Sequence, residues 1–261
     1  MLSGAGLSTE SGIPDYRGPT GLARPASPMT YQVFVGEAAA RRRYWARSYL
    51  GWRQIALARP NAGHHAVADL QRAGLIDGII TQNVDGLHQA AGATGVIELH
   101  GGLTHVICLS CGVPESRIDL DARLSAANAG FAADALVINP DGDAEISEAA
   151  LDSFLMVGCA ACSSDLVKPD VVFFGENVPK PRVERCYDLV DRAAALVVLG
   201  SSLTVMSGLR FVRRAAANGT PIAIVNQGQT RGDEFATVKI DAPLGQTLRE
   251  LASRRCVPAA G

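Results

Sequence analysis

No sign of charge dominates this 261-residue chain: 24 basic residues stand against 26 acidic ones, a formal net charge of −2. That balance excludes the broad basic field by which proteins hold nucleic acid or an anionic membrane. The short basic run Arg41-Arg42-Arg43 reads as a solvated helix face. No apolar stretch reaches the roughly 18 residues a membrane span needs. The first residues show no basic segment followed by an apolar one, the mark of a secretory leader. The expectation is a cytoplasmic protein with neither nucleic acid nor membrane as partner. Internal repeats and low-complexity tracts are also missing. A disulfide framework is not expected, because four of the six cysteines form two Cys-x-x-Cys pairs, a pattern of metal or redox chemistry. Cys186 and Cys256 stand outside the pairs and read as ordinary thiols.

What is present is apolar and rhythmic. Hydrophobic residues make up 48% of the chain, enough for a sizeable core. Short unalternating apolar runs at 78–81, 171–174, 195–199, 222–225 and, more weakly, 237–240 read as strands buried on both faces. Helical stretches at 62–72, 183–192 and 209–217 lie between them, so the pattern predicts an α/β fold with a doubly wound, Rossmann-like parallel sheet. Two regions break the rhythm: 23–59, with a helix over 37–57, and 105–168, which holds the cysteines. Both read as insertions that build a smaller zinc-ribbon and helical domain, leaving 1–22, 60–104 and 169–261 as the sheet domain. The piece 139–143 reads as a surface turn.

Four motifs carry chemistry. Gly4-Ala5-Gly6-Leu7-Ser8-Thr9 follows a strand and suits either a nucleotide pyrophosphate or an ordinary tight turn. It departs from the hydride-transfer fingerprint at Thr9, where a third glycine belongs, and no acid stands about 20 residues on to hold a ribose. Gln82-Asn83-Val84-Asp85 follows the strand at 78–81, where open α/β sheets bind ligands, or it is a capped turn. His100, before Gly101-Gly102, suits a general base or a structural role. Cys108, Cys111, Cys159 and Cys162 form two hooks separated by 47 residues, the donor set of a closed tetrahedral zinc site.

Together these residues resemble the sirtuins, the NAD-dependent protein-lysine deacylases. The likeness runs in family order through 4–17, 81–85, 99–101, both cysteine hooks, 168–176, 200–202 and 225–226. Residues 43–47 and 140–143 and the long cysteine insert look like the class II branch of mitochondrial sirtuin four, here in a bacterial relative. The resemblance implies transfer of a lysine acyl group to ADP-ribose with release of nicotinamide, on an acyl-lysine protein or peptide. It implies His100 and Asn83 as catalytic residues, with Ile13, Asn83 and Asp85 around the nicotinamide. Gly4, Ala5, Gly6, Thr9, Glu10, Asp15, Tyr16, Arg17, Gln82, Gly200, Ser201, Ser202, Asn226, Gln227, Gly228 and Thr237 complete the expected NAD contacts. Val171, Val172, Phe173, Phe174, Gly175 and Glu176 are the expected edge that pairs with substrate as an added strand. One structural zinc ion is implied. Tyr44 and Arg47 have the spacing that holds an acyl carboxylate in another class II branch, so acidic acyl groups are expected, against a plain packed Tyr and surface Arg. The alternative on the same NAD site is protein mono-ADP-ribosyl transfer. Family members have a helix and most of a strand before the glycine loop, so the first strand is expected to be mostly absent here.

Overall fold

The computed structural model describes residues 1–17, 28–131, 137–145 and 148–255. The sequence boundary at residue 22 and Cys256 lie outside the described residues. Along the chain run β1 (Leu2–Ser3), α1 (Tyr31–Gly36), α2 (Ala38–Leu57), α3 (Ala62–Arg72), β2 (Ile79–Thr81), α4 (Leu87–Ala90), β3 (Val96–Glu98), β4 (Gly101–Cys108), β5 (Pro114–Ser116), α5 (Arg117–Ala127), β6 (Val137–Ile138), β7 (Ala144–Glu145), α6 (Glu148–Ser153), β8 (Val167–Val171), α7 (Lys180–Arg192), β9 (Leu196–Leu199), α8 (Met206–Ala217), β10 (Ile222–Val225), β11 (Val238–Ile240) and α9 (Leu244–Arg255). They fall into two compact units: unit 1, Met1–Arg24, Ala58–Leu99 and Val178–Gly261, and unit 2, Pro25–Leu57 and His100–Asn177. Residues 100–104 and 169–177, expected with the sheet, belong to unit 2.

Unit 1 is a six-stranded parallel sheet in the order β11-β10-β9-β1-β2-β3. The strand expected to be mostly absent stands at its centre. Leu2 and Ser3 pair with Ile80 and Thr81 on one side and with Val198 and Leu199 on the other. Successive strand residues point to opposite faces. Ile80, Val198 and Ile224 pack with Val190 of α7 and Leu209 and Val212 of α8. Ile79, Leu199 and Val225 pack with Val67 of α3 and Leu248 of α9. Each fully buried side chain of this kind contributes roughly 2 kcal/mol, which is why both faces read as unbroken apolar runs. Cys186 lies in the first of these layers, and burial pushes its thiol up to about 11, so it is an inert core thiol. α3 starts where its sequence says. The Asn61 side chain accepts from Gly63 N (2.9 Å) and His64 N (3.2 Å), capping the helix. The strand order reverses between β1 and β9, the position beside which open α/β sheets bind ligands.

Unit 2 joins α1, α2, α5 and α6 to an antiparallel sheet in the order β5-β4-β8 and the hairpin β6–β7. The apolar run at 171–174 is not a buried parallel strand. β8 ends at Val171 and runs antiparallel to β4 as an edge, a position that tolerates Pro169. Phe34, Tyr44, Trp45 and Phe173 stack edge-on or tilted, with centroids 5.1–5.5 Å apart. The basic run is only partly solvated. Arg42 and Arg43 are exposed, whereas Arg41 is buried and donates to Asp165, Phe34 O and Val35 O. The turn at 139–143 is closed by Gly142 N to Asn139 O (2.9 Å), but Asn139 and Asp143 are buried rather than at the surface. A Cβ on Gly51 of α2 would lie 2.3 Å from Gly142 O, so that glycine lets the turn seat on the helix. Among the described residues, no helix is long and apolar enough to cross a membrane.

Candidate functional site

In unit 1 the loops after β1 and β9 are laced together. Gly4 N donates to Leu199 O (3.0 Å) and Gly6 N to Gly200 O (2.9 Å). A Cβ on Gly4 would lie 2.8 Å from both Gly200 O and Ser201 Cβ, and one on Gly6 would lie 3.0 Å from Gly200 Cα. Gly200 itself has φ +60°. The spaced glycines therefore serve loop-to-loop packing, and the N–H groups of Gly4 and Gly6 are spent on it rather than turned out to a phosphate. Gln82 joins the same seam, its Nε2 donating to Ser201 Oγ (2.8 Å). A Cβ on Gly208 would strike Gln82 Oε1 at 2.5 Å. Ser202 Oγ lies 3.1 Å from Thr204 Oγ1.

Past β2, Asn83 turns back into the glycine loop. Its Nδ2 donates to Gly4 O (3.1 Å) and Ser8 Oγ (3.0 Å), and Ser8 Oγ donates to Asp85 Oδ2 (2.6 Å). The other Asp85 oxygen accepts from Leu87 N (2.9 Å) at the start of α4. Carboxamide, hydroxyl and carboxylate thus form one oriented line at the carboxyl ends of β1 and β2, with Asn83 and Ser8 buried. Ser8 was not singled out from sequence. It is a small hydroxyl inside a glycine-rich stretch, and the partners that give it meaning lie 75 and 77 residues away.

The other expected contacts divide. Thr9 Oγ1 bonds Gly6 O (3.0 Å) within the loop, Ile13 and Asp15 are buried beyond it, Tyr16 is half-buried and Arg17 exposed. Glu10 accepts from Gly245 N (3.0 Å), placing its charge at the start of α9, where the helix dipole favours it. After β10, Asn226 Nδ2 donates to Gln227 O (2.8 Å) and Gly228 O (3.3 Å), and Gly228 N to Asp241 Oδ1 (3.1 Å). Thr237 does not join them. It exchanges bonds with Ile222, N to O at 2.7 Å and Ile222 N to Oγ1 at 3.1 Å, at the amino end of β10, opposite the end where the ligand crevice of such sheets lies.

In unit 2, His100 opens the second segment, and its carbonyl accepts from Val172 N (2.7 Å). Gly101 makes that approach possible. Its φ is +79°, and a Cβ there would lie 2.0 Å from Asp170 O. The expected substrate edge is extended only to Val171. Phe173 N donates to Glu176 Oε2 (2.8 Å) and Glu176 N to Phe173 O (3.0 Å), closing a turn through Gly175 at φ +80°. Phe174 O takes Tyr31 N (2.9 Å) and Gly175 O takes Gln32 Nε2 (3.1 Å), so α1 occupies part of this backbone. Buried Lys168 ties the turn down with an ion pair to Glu176 (3.2 Å). Tyr44 sits inside the aromatic cluster, where burial drives its phenol far above its ordinary pKa. Arg47 is held by Asp143 Oδ2 (2.9 Å) and Ala144 O (2.7 Å).

The sulfurs of Cys108, Cys111, Cys159 and Cys162 lie within 4.8 Å of one another, with Cys108–Cys162 at 3.6 Å and Cys111–Cys159 at 3.7 Å. A tetrahedron with zinc–sulfur bonds of about 2.3 Å has edges of about 3.8 Å, so the four thiols fit one zinc ion. Four protein donors leave no open position, which makes the ion a staple between the hooks and not a source of activated water.

The description "Sir2 family" matches this chain over residues 4–207. The NAD-dependent protein deacetylase 1 of Streptomyces coelicolor is 60% identical over 97% of this chain and 85% of its own length. That of Mycobacterium avium is 53% identical over 97% and 89%. Among solved structures, a Sir2 with p53 peptide and NAD+ superposes with a TM-score of 0.78 at 32% identity, covering 98% of this chain and 92% of its own.

Proposed function

The chain belongs to the Sir2 family, and we infer from that premise that it is an NAD-dependent protein-lysine deacylase. The observation that carries the reading is the Asn83–Ser8–Asp85 line at the carboxyl ends of β1 and β2, next to the strand-order reversal of a six-stranded parallel sheet. NAD supplies a labile bond between nicotinamide and ribose, and with it an ADP-ribose acceptor for the acyl group. The residues expected to hold it are the laced loops at Gly4–Gly6 and Gly200–Ser202, with Gln82, Asn226, Gln227 and Gly228. In this reading Asn83, Asp85 and Ile13 take the nicotinamide end. Ser8 fixes the Asn83 amide and the Asp85 carboxylate in one orientation before any ligand arrives, so little reorganisation is left to the reaction. His100 removes a proton from a ribose hydroxyl, a task suited to an imidazole. Glu10 serves the loop indirectly through α9. Val171 and Val172 are the part of the predicted edge left for an acyl-lysine peptide, and Glu176 and Lys168 brace it.

We also place the protein in the cytoplasm, where acyl-lysine proteins and NAD are at hand, and keep the class II likeness at 43–47 and 140–143 as part of the proposal. The decisive assay is nicotinamide release over a panel of acyl-lysine peptides. Wild-type chain yields O-acyl-ADP-ribose in step with nicotinamide, and His100→Ala loses both. Undiminished turnover in His100→Ala refutes the mechanism. Transfer of ADP-ribose onto protein in place of acyl transfer refutes the deacylase reading.

A further inference from the structure

Beneath the Asn83 line lie two buried histidines that the reaction itself does not use, His64 on α3 and His88 on α4. Their ring protons follow from their neighbours. Asn61 N donates to His64 Nδ1 (3.3 Å), so the proton of a neutral His64 ring sits on Nε2. Ser3 has one hydroxyl proton and gives it to Thr81 Oγ1 (2.9 Å). The 2.9 Å contact of Ser3 Oγ with His88 Nε2 then requires His88 to donate, leaving its Nδ1 as acceptor. The two atoms left over are complementary, a donor on His64 Nε2 and an acceptor on His88 Nδ1. Both are buried with no hydrogen-bond partner among the described residues, and the rings meet edge to face at 5.2 Å instead.

We propose that His64 and His88 are positioning residues: a one-directional relay runs from His88 through Ser3 to Thr81 and holds the Asn83 loop, and the edge-to-face contact with His64 ties that relay to the α3 cap. Thr81 Oγ1 is the acceptor for Asn83 N (3.1 Å), and Asn61 Nδ2 separately holds Leu7 O (2.7 Å). One helix start therefore sets both loops of the nicotinamide end. Burial holds both rings neutral down to about 4; the neighbouring imidazoles, His65 beside His64 and His64 beside His88, add to it, and Asp85 alone opposes it at His88.

The activity arm of the test rests on the deacylase reading, and the spectroscopic arm does not. Long-range proton–nitrogen spectra of the full chain carrying nitrogen-15 histidine are expected to show both rings as neutral Nε2–H tautomers at pH 7. An Nδ1–H tautomer or a cation at either ring overturns the relay. In turnover, His88→Phe is expected to lower kcat for nicotinamide release by about tenfold or more, with peptide KM within about twofold. His88→Gln, whose amide can reach Ser3, restores most of it, and exposed His65→Gln changes nothing. A loss confined to KM, or no rescue by His88→Gln, overturns the relay. Absence of nicotinamide release from the wild-type chain would instead sink the deacylase reading and leave the tautomers to decide.

Discussion

The buried histidine pair makes unit 1 sensitive to mild acid, and the size of the effect follows from the geometry. In an unfolded chain a histidine titrates near about 6.5. In the folded chain burial lowers both His64 and His88 to about 4, with the neighbouring ring adding to the effect. The unfolded state therefore takes up protons first as the pH falls. Stability is at its full value above about pH 6.5, drains away as pH drops through 6.5 toward 4, and levels off below that as far as these groups are concerned. Each complete shift is worth about 3 kcal/mol, and lowering the pH from 7.5 to 5 costs about 2 kcal/mol per ring, or about 4 kcal/mol for the pair. That is a large share of the 5–15 kcal/mol typical of a domain. Urea unfolding at fixed pH steps measures it. Far-ultraviolet dichroism or hydrogen exchange at β9 and β10 is the right probe, because Trp45 and Trp52, the only tryptophans, both lie in unit 2. The double variant His64→Gln/His88→Gln is expected to flatten most of the dependence between pH 7.5 and 5. The lowered carboxyl pKa of Asp191, held down by Arg214, acts at lower pH and is untouched by that change. An unaltered slope in the double variant refutes the assignment of the acid sensitivity to these rings.

Other consequences are equally direct. Gly101→Ala puts a Cβ 2.0 Å from Asp170 O at φ +79°, so it is expected to cost at least about 3 kcal/mol and most of the turnover, read by thermal melting and by nicotinamide release together. Cys159→Ser, or chelation, is expected to remove one equivalent of zinc by elemental analysis and to lower the melting of unit 2, with β9 and β10 exchange little changed. Ser8→Ala unties Asn83 from Asp85 and should reduce kcat for nicotinamide release by about tenfold or more, with peptide KM nearly constant. Arg47→Ala removes the ion pair that Arg47 makes with buried Asp143, is expected to lower the melting temperature, and should depress acetyl and succinyl turnover alike. A loss on the succinyl peptide alone would return Arg47 to carboxylate recognition.

How far the sequence carries depends on the range of the interaction. The unbroken runs at 195–199 and 222–225 became β9 and β10 because both faces of a parallel strand are covered, a property each segment shows alone. Helix α3 was legible to the residue, since its cap, Asn61, is next to it in the chain. The run at 171–174 misled because apolar content does not tell a strand in a parallel sheet from the end of an antiparallel edge. Its partner, β4, begins 70 residues earlier, and Lys168 and Pro169 were the local warning. β1 is the short remnant expected, Leu2–Ser3. Two residues are too few for a periodic signal, yet in a central position each makes ladder contacts on both sides.

The same rule of range explains what happened to the glycine loop. Its glycines are visible as a motif, but the motif alone leaves a nucleotide phosphate and an ordinary tight turn equally open. Here the bare backbone faces Gly200 and Ser201, nearly two hundred residues on, and Gly4 takes an ordinary extended conformation, φ −137° and ψ −174°, that any residue can adopt. Conformational freedom is therefore not what Gly4 supplies; the missing Cβ is. Gly4→Ala and Gly200→Ala consequently fail for different reasons, the first by contact at 2.8 Å and the second by contact and by φ +60° as well. Shortening the opposing Ser201 side chain relieves only part of the Gly4→Ala clash, because Gly200 O remains at the same distance as Ser201 Cβ. The combination Gly4→Ala/Ser201→Gly should thus recover some of the melting temperature lost in Gly4→Ala, whereas Gly200→Ala/Ser201→Gly should recover none. Equal rescue of both would mean that the two loops are not packed as described, and that the first glycine of the motif is kept for its backbone after all.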